Sequence, residues 1–170
     1  MAATRRFVLA APVHHRAVLA DPAARPPVPA DAEALAVLML AAYQGTVDDE
    51  GETLEEARAV VAQYFEGVFG KPMPAVSEVT ERDGVLVAAT LLTHWWRGPF
   101  VAFMITAPQA QRQGLARAGL TRAINRLAAG DEPWLRLVVT QGNTRAEALY
   151  ESLGFVPVPV PTFEGGSSAA

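Results

Sequence analysis

Cysteine is absent from the 170 residues. The chain can therefore hold no disulfide framework, no thiolate nucleophile and no thiolate zinc site. Histidine is scarce: the three residues at 14, 15 and 94, the first two adjacent, lack the spacing of a metal site. Excess positive charge is missing as well. A formal net charge of −4 gives no general attraction to nucleic acid or to an anionic membrane surface. No apolar helical run is long enough to cross a bilayer, since the longest covers residues 32–43. Residues 4–9, Thr-Arg-Arg-Phe-Val-Leu, faintly match a twin-arginine export signal, but the apolar stretch stops at Pro12 and His14, His15 and Arg16 follow. A cytoplasmic location is expected. With about half of its residues apolar, the chain is long enough to bury the core of one ordinary globular domain.

The domain reads as residues 1–170, with an irregular N-terminal segment over 1–30 and a flexible tail over 162–170. The first segment holds one strand, 6–10, before Pro22, Pro26, Pro27 and Pro29 forbid a helix. Asp31 is placed to cap a helix from Ala32, with Leu35, Leu38, Met39 and Ala42 on one face. After an acidic loop, Thr53-Leu54-Glu55-Glu56 reads as a capping box. The helix it opens should bury Leu54, Ala57, Val61, Tyr64 and Val68 and end at Gly70 and Pro72. From Val76 the period changes. Residues 76–82 and 85–95 read as strands joined by Asp83-Gly84, a two-residue hairpin signal. Past Gly98-Pro99, residues 100–106 form a third strand.

Next comes Gln111-Arg112-Gln113-Gly114-Leu115-Ala116, a Q-x-x-G-x-A turn between an apolar strand and a helix. Glycine lets backbone approach a ligand, and the free N–H groups of a helix's first turn carry the positive end of its dipole, so the turn is a seat for phosphates. Its helix should turn Leu115, Leu120, Ala123, Ile124 and Leu127 inward, show Arg122 and Arg126 outward, and stop at Gly130. Residues 134–140 form a nearly continuous apolar strand, as expected when both faces are covered. Asn143 caps a last helix to about Leu153, with Gly154 as its left-handed stop.

The stretch Met104-Ile105-Thr106-Ala107-Pro108, the turn 111–116, and then Asn143, Ala146, Leu149-Tyr150 and Leu153-Gly154-Phe155 together resemble the GNAT superfamily of acetyl-CoA-dependent N-acetyltransferases. The resemblance covers residues 76–156 well and the first 75 only in outline. It implies a mixed α/β domain whose central sheet is mostly antiparallel and flanked by helices, here expected with a shortened C-terminal strand region as a departure from the family pattern. It implies acetyl-CoA as co-substrate, bound by the backbone of Met104, Ile105 and Thr106, by Arg112, Gln113, Gly114, Leu115, Ala116 and Arg117 at the pyrophosphate, and by Asn143 along the arm. Tyr150 would protonate the departing thiolate, which a phenol with a pKa of about 10 can do. No metal enters. Without the resemblance, Tyr150 reads as a core aromatic and Asn143 as a plain helix cap, while Arg112 and Arg117 read as solvated helix charges or, beside free helix N–H groups, as anion contacts.

The chain departs from the pattern in two places. After the last helix only residues 156–170 remain, too few for two strands, and Pro157, Pro159 and Pro161 leave one edge without donors. An edge strand is expected there, its missing neighbour left out or replaced by the N-terminal segment or a partner chain. Secondly, the strand 100–106 carries no acidic residue that could act as general base. Glu78, His94 and the loop Asp48, Asp49 and Glu50 are the candidates, and a water relay or an already neutral amine would need none of them. The acidic loop attracts a cationic amine or merely complements a helix N-terminus. Trp95 and Trp96 line an acceptor pocket or pack against a helix.

The expected function is transfer of an acetyl group from acetyl-CoA to a primary amine by direct attack in a ternary complex. A non-catalytic acyl-CoA-binding or sensor module is the alternative, and a plain protein-interaction domain a third. The amine acceptor's identity and the oligomeric state stay open, with a homodimer as one option.

Overall fold

The computed structural model describes residues 5–159. Twelve elements run in the order β1 (Arg6–Pro12), β2 (Ala24–Arg25), α1 (Ala32–Tyr43), α2 (Leu54–Glu66), β3 (Lys71–Pro72), β4 (Glu78–Arg82), β5 (Val85–Trp95), β6 (Gly98–Thr106), α3 (Leu115–Ala128), β7 (Trp134–Thr140), α4 (Thr144–Ser152) and β8 (Val156–Pro157). They build one open sheet in the order β2-β4-β5-β6-β7-β1-β8, with β3 pairing β5 on a separate stretch. Every pairing is antiparallel except that of β6 with β7.

Local chemistry accounts for most boundaries. Thr53 and Glu56 close a complete capping box at the start of α2, the Thr53 hydroxyl accepting from the Glu56 N–H and the Glu56 carboxylate from the Thr53 N–H. Helix α2 ends at Gly67, which takes the left-handed conformation at φ 83°, and not at Gly70. Val68 consequently lies beyond the helix and is 61% exposed, where the helical spacing placed it inward. Asp83 and Gly84 both adopt positive φ, 51° and 77°, the geometry that matches the right-handed twist of the β4–β5 hairpin. Asp31 corrects another expectation. Its side chain does not cap α1; it accepts two hydrogen bonds from Arg25, each 2.8 Å, and one from the Val28 N–H.

Two cores flank the sheet. Leu35, Leu38 and Met39 of α1 and Ala57, Val61 and Tyr64 of α2 close over β4, β5 and β6. Leu120, Ala123, Ile124 and Leu127 of α3, with Tyr150 of α4, close over the alternate residues Leu135, Leu137 and Val139 of β7 and Leu9 and Ala11 of β1. The other face of β7 is open, with Trp134 43% and Val138 40% exposed, so the apolar run does not reflect a strand covered on both sides.

The C-terminal departure resolves through the N-terminus. Strand β1 lies between β7 and β8, pairing β7 over all seven residues from Arg6↔Thr140 to Pro12↔Trp134. The short β8 sits at the edge through Ala10↔Val156 and Leu9↔Pro157, and the Val158 N–H donates to the Val8 carbonyl. Proline removes donors from the outer edge of β8, which no strand among the described residues pairs. Val160, Pro161, the tail 162–170 and Thr4 of the export-like stretch lie outside the described residues.

Candidate functional site

Strands β6 and β7 are paired at only two positions, Phe100↔Arg136 and Val101↔Leu137. Beyond them each strand keeps its outer neighbour, β6 staying with β5 as far as Thr106 and β7 with β1 as far as Thr140. The two strands therefore part, and the backbone groups that would have paired face a gap. That gap opens into a cleft of about 1290 Å³.

Met104, Ile105 and Thr106 line the cleft from β6, and Val138, Val139 and Thr140 line it from β7. Their unpaired edges suit an extended ligand carrying amides of its own. At the end of the gap sits the turn before α3. Arg112 and Gly114 hold positive φ values of 62° and 75°, and a Cβ built on Gly114 would meet no atom within 4 Å. The first intrahelical bond of α3 runs from the Ala118 N–H to the Gly114 carbonyl, which leaves the amides of Leu115, Ala116 and Arg117 over for an anion. A non-glycine residue in left-handed backbone marks a place where local strain is held by its surroundings, as ligand clamps often are.

Most of the residues singled out by sequence meet here. Arg112, Gly114, Leu115, Ala116, Arg117, Asn143 and Tyr150 all line the cleft. Gln113 does not; its side chain accepts from Arg82 at 2.5 Å and donates to the Gln109 carbonyl at the outer rim. The Arg117 guanidinium reaches α4 and donates to the Ser152 hydroxyl. Asn143 uses both ends of its amide: Oδ1 accepts from the Ala146 N–H as the cap of α4, and Nδ2 donates to Asp48 at 3.1 Å. Tyr150 is 7% exposed, and its ring rests against Phe155. Burial, and secondarily the charge of Asp48, pushes its pKa up to about 12, so the phenol keeps its proton at ordinary pH.

Tyr43 and Arg145 also line the cleft and were not picked out from sequence. Tyr43 looks like the last turn of an apolar helix, and only the tertiary fold shows that α1 ends beside the β6–β7 gap. Arg145 donates to Gln111 at 2.6 Å, joining the start of α4 to the phosphate-seat turn.

The candidates for a base separate sharply. Glu78 is 2% exposed, and Arg122 holds it as a fork, with Nη2 at 2.6 Å and Nε at 3.0 Å. Arg126 Nη1 lies 3.1 Å from Oε2, the oxygen that already accepts from Arg122 Nε, near enough to share charge though not aligned for a hydrogen bond. Arg122 and Arg126 thus turn in toward the sheet instead of outward, and Glu78 is no part of the cleft. His94 sits opposite Lys71 near the hairpin end of β5, outside the cleft, and so do Trp95 and Trp96, which are 46% and 42% exposed. The loop containing Asp48, Asp49 and Glu50 does line it.

The model of the acetyltransferase (GNAT) family matches residues 34–155. The chain belongs to this family. Comparison with curated proteins gives no match. Among solved structures, a GCN5-related N-acetyltransferase from Sphaerobacter thermophilus superposes with a TM-score of 0.69 at 18% identity, over 90% of this chain and 48% of that one. The ribosomal-protein-S18-alanine N-acetyltransferase from Escherichia coli gives 0.65 at 22% identity, over 80% and 78%. The enzyme AAC(6')-Iy, in complex with the bisubstrate analog CoA-S-monomethyl-acetylneamine, gives 0.57 at 15% identity, over 82% and 94%. At such identities these neighbours share the fold with this GNAT chain, which spans about half the length of the Sphaerobacter protein.

Proposed function

We propose that this GNAT chain transfers the acetyl group of acetyl-CoA to a primary amine by direct attack in a ternary complex. The observation that carries the reading is the parting of β6 from β7 into a cleft that has free helix amides at one end and a buried, protonated Tyr150 inside it. The residues present fit the co-substrate. The amides of Leu115, Ala116 and Arg117, with Arg112 and Arg117 as cations, would hold the pyrophosphate, and the free edge of Met104, Ile105 and Thr106 would pair with the pantetheine amides. Bound there, acetyl-CoA supplies an acyl group on a thiol leaving group. Tyr150 holds the proton that the departing sulfur needs, and its raised pKa keeps that proton in place until negative charge develops beside it. The absence of cysteine removes a covalent thiol route, in keeping with direct attack.

Isothermal titration with acetyl-CoA tests the first half of this reading; no binding at millimolar concentration would refute it. For the second half, Tyr150→Phe should lower turnover while leaving affinity for acetyl-CoA nearly unchanged.

A further inference from the structure

The loop between α1 and α2 carries four carboxylates, and three of them are engaged by loop amides or by Arg6. Asp49 accepts from the N–H groups of Gly45 and Gly51, at 2.7 and 2.9 Å, and so shapes the loop's turns. Glu50 pairs with Arg6, and Glu52 accepts from the Glu50 N–H. Asp48 is different. It is half-buried, and its Oδ2 accepts from Asn143 Nδ2 at the head of α4, while Oδ1 accepts no hydrogen bond from any described residue. No basic side chain pairs with it among the described residues.

What Asp48 faces is equally informative. Tyr43 from α1 and Tyr150 from α4 line the same cleft, and the charge of Asp48 acts on both phenols, raising both. Tyr150 is 7% exposed as a residue, and its hydroxyl, which solvent still reaches, has no hydrogen-bond partner among the described residues. A phenol without a partner and a carboxylate with a free oxygen and no cation, both opening on one cleft, leave a polar set that a ligand can complete. A cationic nitrogen next to the acyl carbon would complete it.

We propose that Asp48, positioned by Asn143, receives the acceptor as an ammonium ion and takes its first proton. The inference rests on the acetyl-transfer reading above and adds the acceptor's charge state and the group that removes it. One ammonium proton passes to Asp48, and the freed lone pair attacks the thioester carbonyl carbon. The C–N bond forms and the C–S bond breaks. Tyr150 gives its phenolic proton to the departing sulfur and regains one from the acylated nitrogen, while Asp48 later sheds its proton to water. Ammonium and thioester become amide and thiol, with one proton released. Asn143 then has a role that its position as a helix cap conceals: its amide N–H aims Asp48 across the gap.

The test uses the full chain with putrescine, lysine and an alanine-initiated tripeptide as acceptors, reading CoA release by thiol detection and acetyl-CoA affinity by titration. Asp48→Asn should lower kcat/KM for the best acceptor by about 10²- to 10⁴-fold near neutral pH, the range for a general base, with acetyl-CoA affinity within about threefold of the parent. The loss should shrink as pH rises toward the amine's own pKa of about 10, because solvent then supplies the neutral amine. The titratable groups on which Asp48 acts are Tyr43 and Tyr150, both raised, the latter to about 12, and Glu52 of the same loop and Arg6 of β1 act in turn on Tyr43. Asn143→Ser keeps a capping oxygen but loses the amide donor, and should show a smaller loss with the same recovery at high pH. Glu33→Gln, on the exposed pair with Arg58 and away from the cleft, should stay within about twofold of the parent. An Asp48→Asn loss that is constant with pH, a kcat/KM within twofold of the parent, or a collapse of acetyl-CoA affinity would each overturn the proposal. Binding of acetyl-CoA with no CoA release on any of the three ammonium-bearing acceptors would overturn it while leaving the cofactor site standing. Failure to bind acetyl-CoA would sink both readings.

Discussion

Glu78→Ala separates a structural acid from a catalytic one. The carboxylate is 2% exposed and is held by the Arg122 fork at 2.6 and 3.0 Å, with Arg126 at 3.1 Å. Removing it leaves two guanidinium groups facing a site built for an anion, and breaking a buried pair from one side costs about 3–5 kcal/mol. The Arg126 side chain is 34% exposed and can swing to water, whereas that of Arg122, at 11%, cannot do so freely. The lower end of the range therefore applies, about 3 kcal/mol. For a domain of this size each kcal/mol moves the melting temperature by about 2–4 °C, which gives a drop of about 6–12 °C. Thermal unfolding followed by circular dichroism measures this, and turnover is assayed well below the new midpoint. At that temperature kcat should stay within about threefold of the parent, because Glu78 does not touch the cleft. Glu78→Met combined with Arg122→Met should recover much of the loss by replacing the ion pair with apolar packing. An unchanged melting temperature with abolished turnover would refute the structural assignment and return Glu78 to the list of bases.

Three other outcomes follow from the same geometry. Gly119→Ala on α3 would bring a Cβ within 2.7 Å of Thr90 Oγ1 and 3.1 Å of Glu78 Oε1. Despite alanine's higher helix propensity it should destabilise by about 1–2 kcal/mol in urea unfolding, and adding Thr90→Ala should relieve most of that. The Arg25 hydrogen bonds hold Asp31 below the usual carboxylate range, against the opposing effect of burial. Its stabilisation is therefore present above the unfolded pKa of about 3.9 and is lost as pH falls through the folded value. Melting temperatures of the parent and Asp31→Asn should thus differ at neutral pH and converge in acid; a constant gap would contradict the assignment. Because the Tyr150 pKa is raised to about 12, the fold favours the neutral phenol, and that preference becomes a loss of stability as pH climbs from about 10 through 12. An ultraviolet titration of parent against Tyr150→Phe should assign the missing phenolate step to this upper range, and Asp48→Asn should shift it downward.

Much of the fold, and the turn proposed to hold the co-substrate, could be read in the sequence because the signals are local. Asp83-Gly84 dictates its hairpin through the positive φ that both residues tolerate, and Thr53 and Glu56 satisfy each other's amides within one helical turn. Gly114 and the leftover amides of α3 stand next to each other in the chain, so the anion seat is visible as a motif. The acceptor half was not legible in the same way. Four carboxylates crowd the loop after α1, and composition cannot say which of them turns inward. Asp49, Glu50 and Glu52 are taken up by Gly45 and Gly51, by Arg6 and by a loop amide. Only contact with Asn143, 95 positions away, singles out Asp48. Glu78 shows the reverse error, since strand alternation gives its side of the sheet but not the two arginines that wait there from α3.

By itself, then, the sequence determined which segments are helix, strand and turn, and where backbone amides are left over for phosphates, since these follow from dihedral preference, capping and apolar period over a few residues. Tertiary structure decided what depends on residues far apart in the chain. Strand β1 reaches across to fill the place between β7 and β8, because β7 needs a partner and the proline-bearing β8 has donors for only one edge. In the same sheet β7 keeps β1 over its whole length while parting from β6, which opens the gap that the turn and Tyr150 line. A cleft formed by two strands each held to its outer neighbour has no signature in either strand alone.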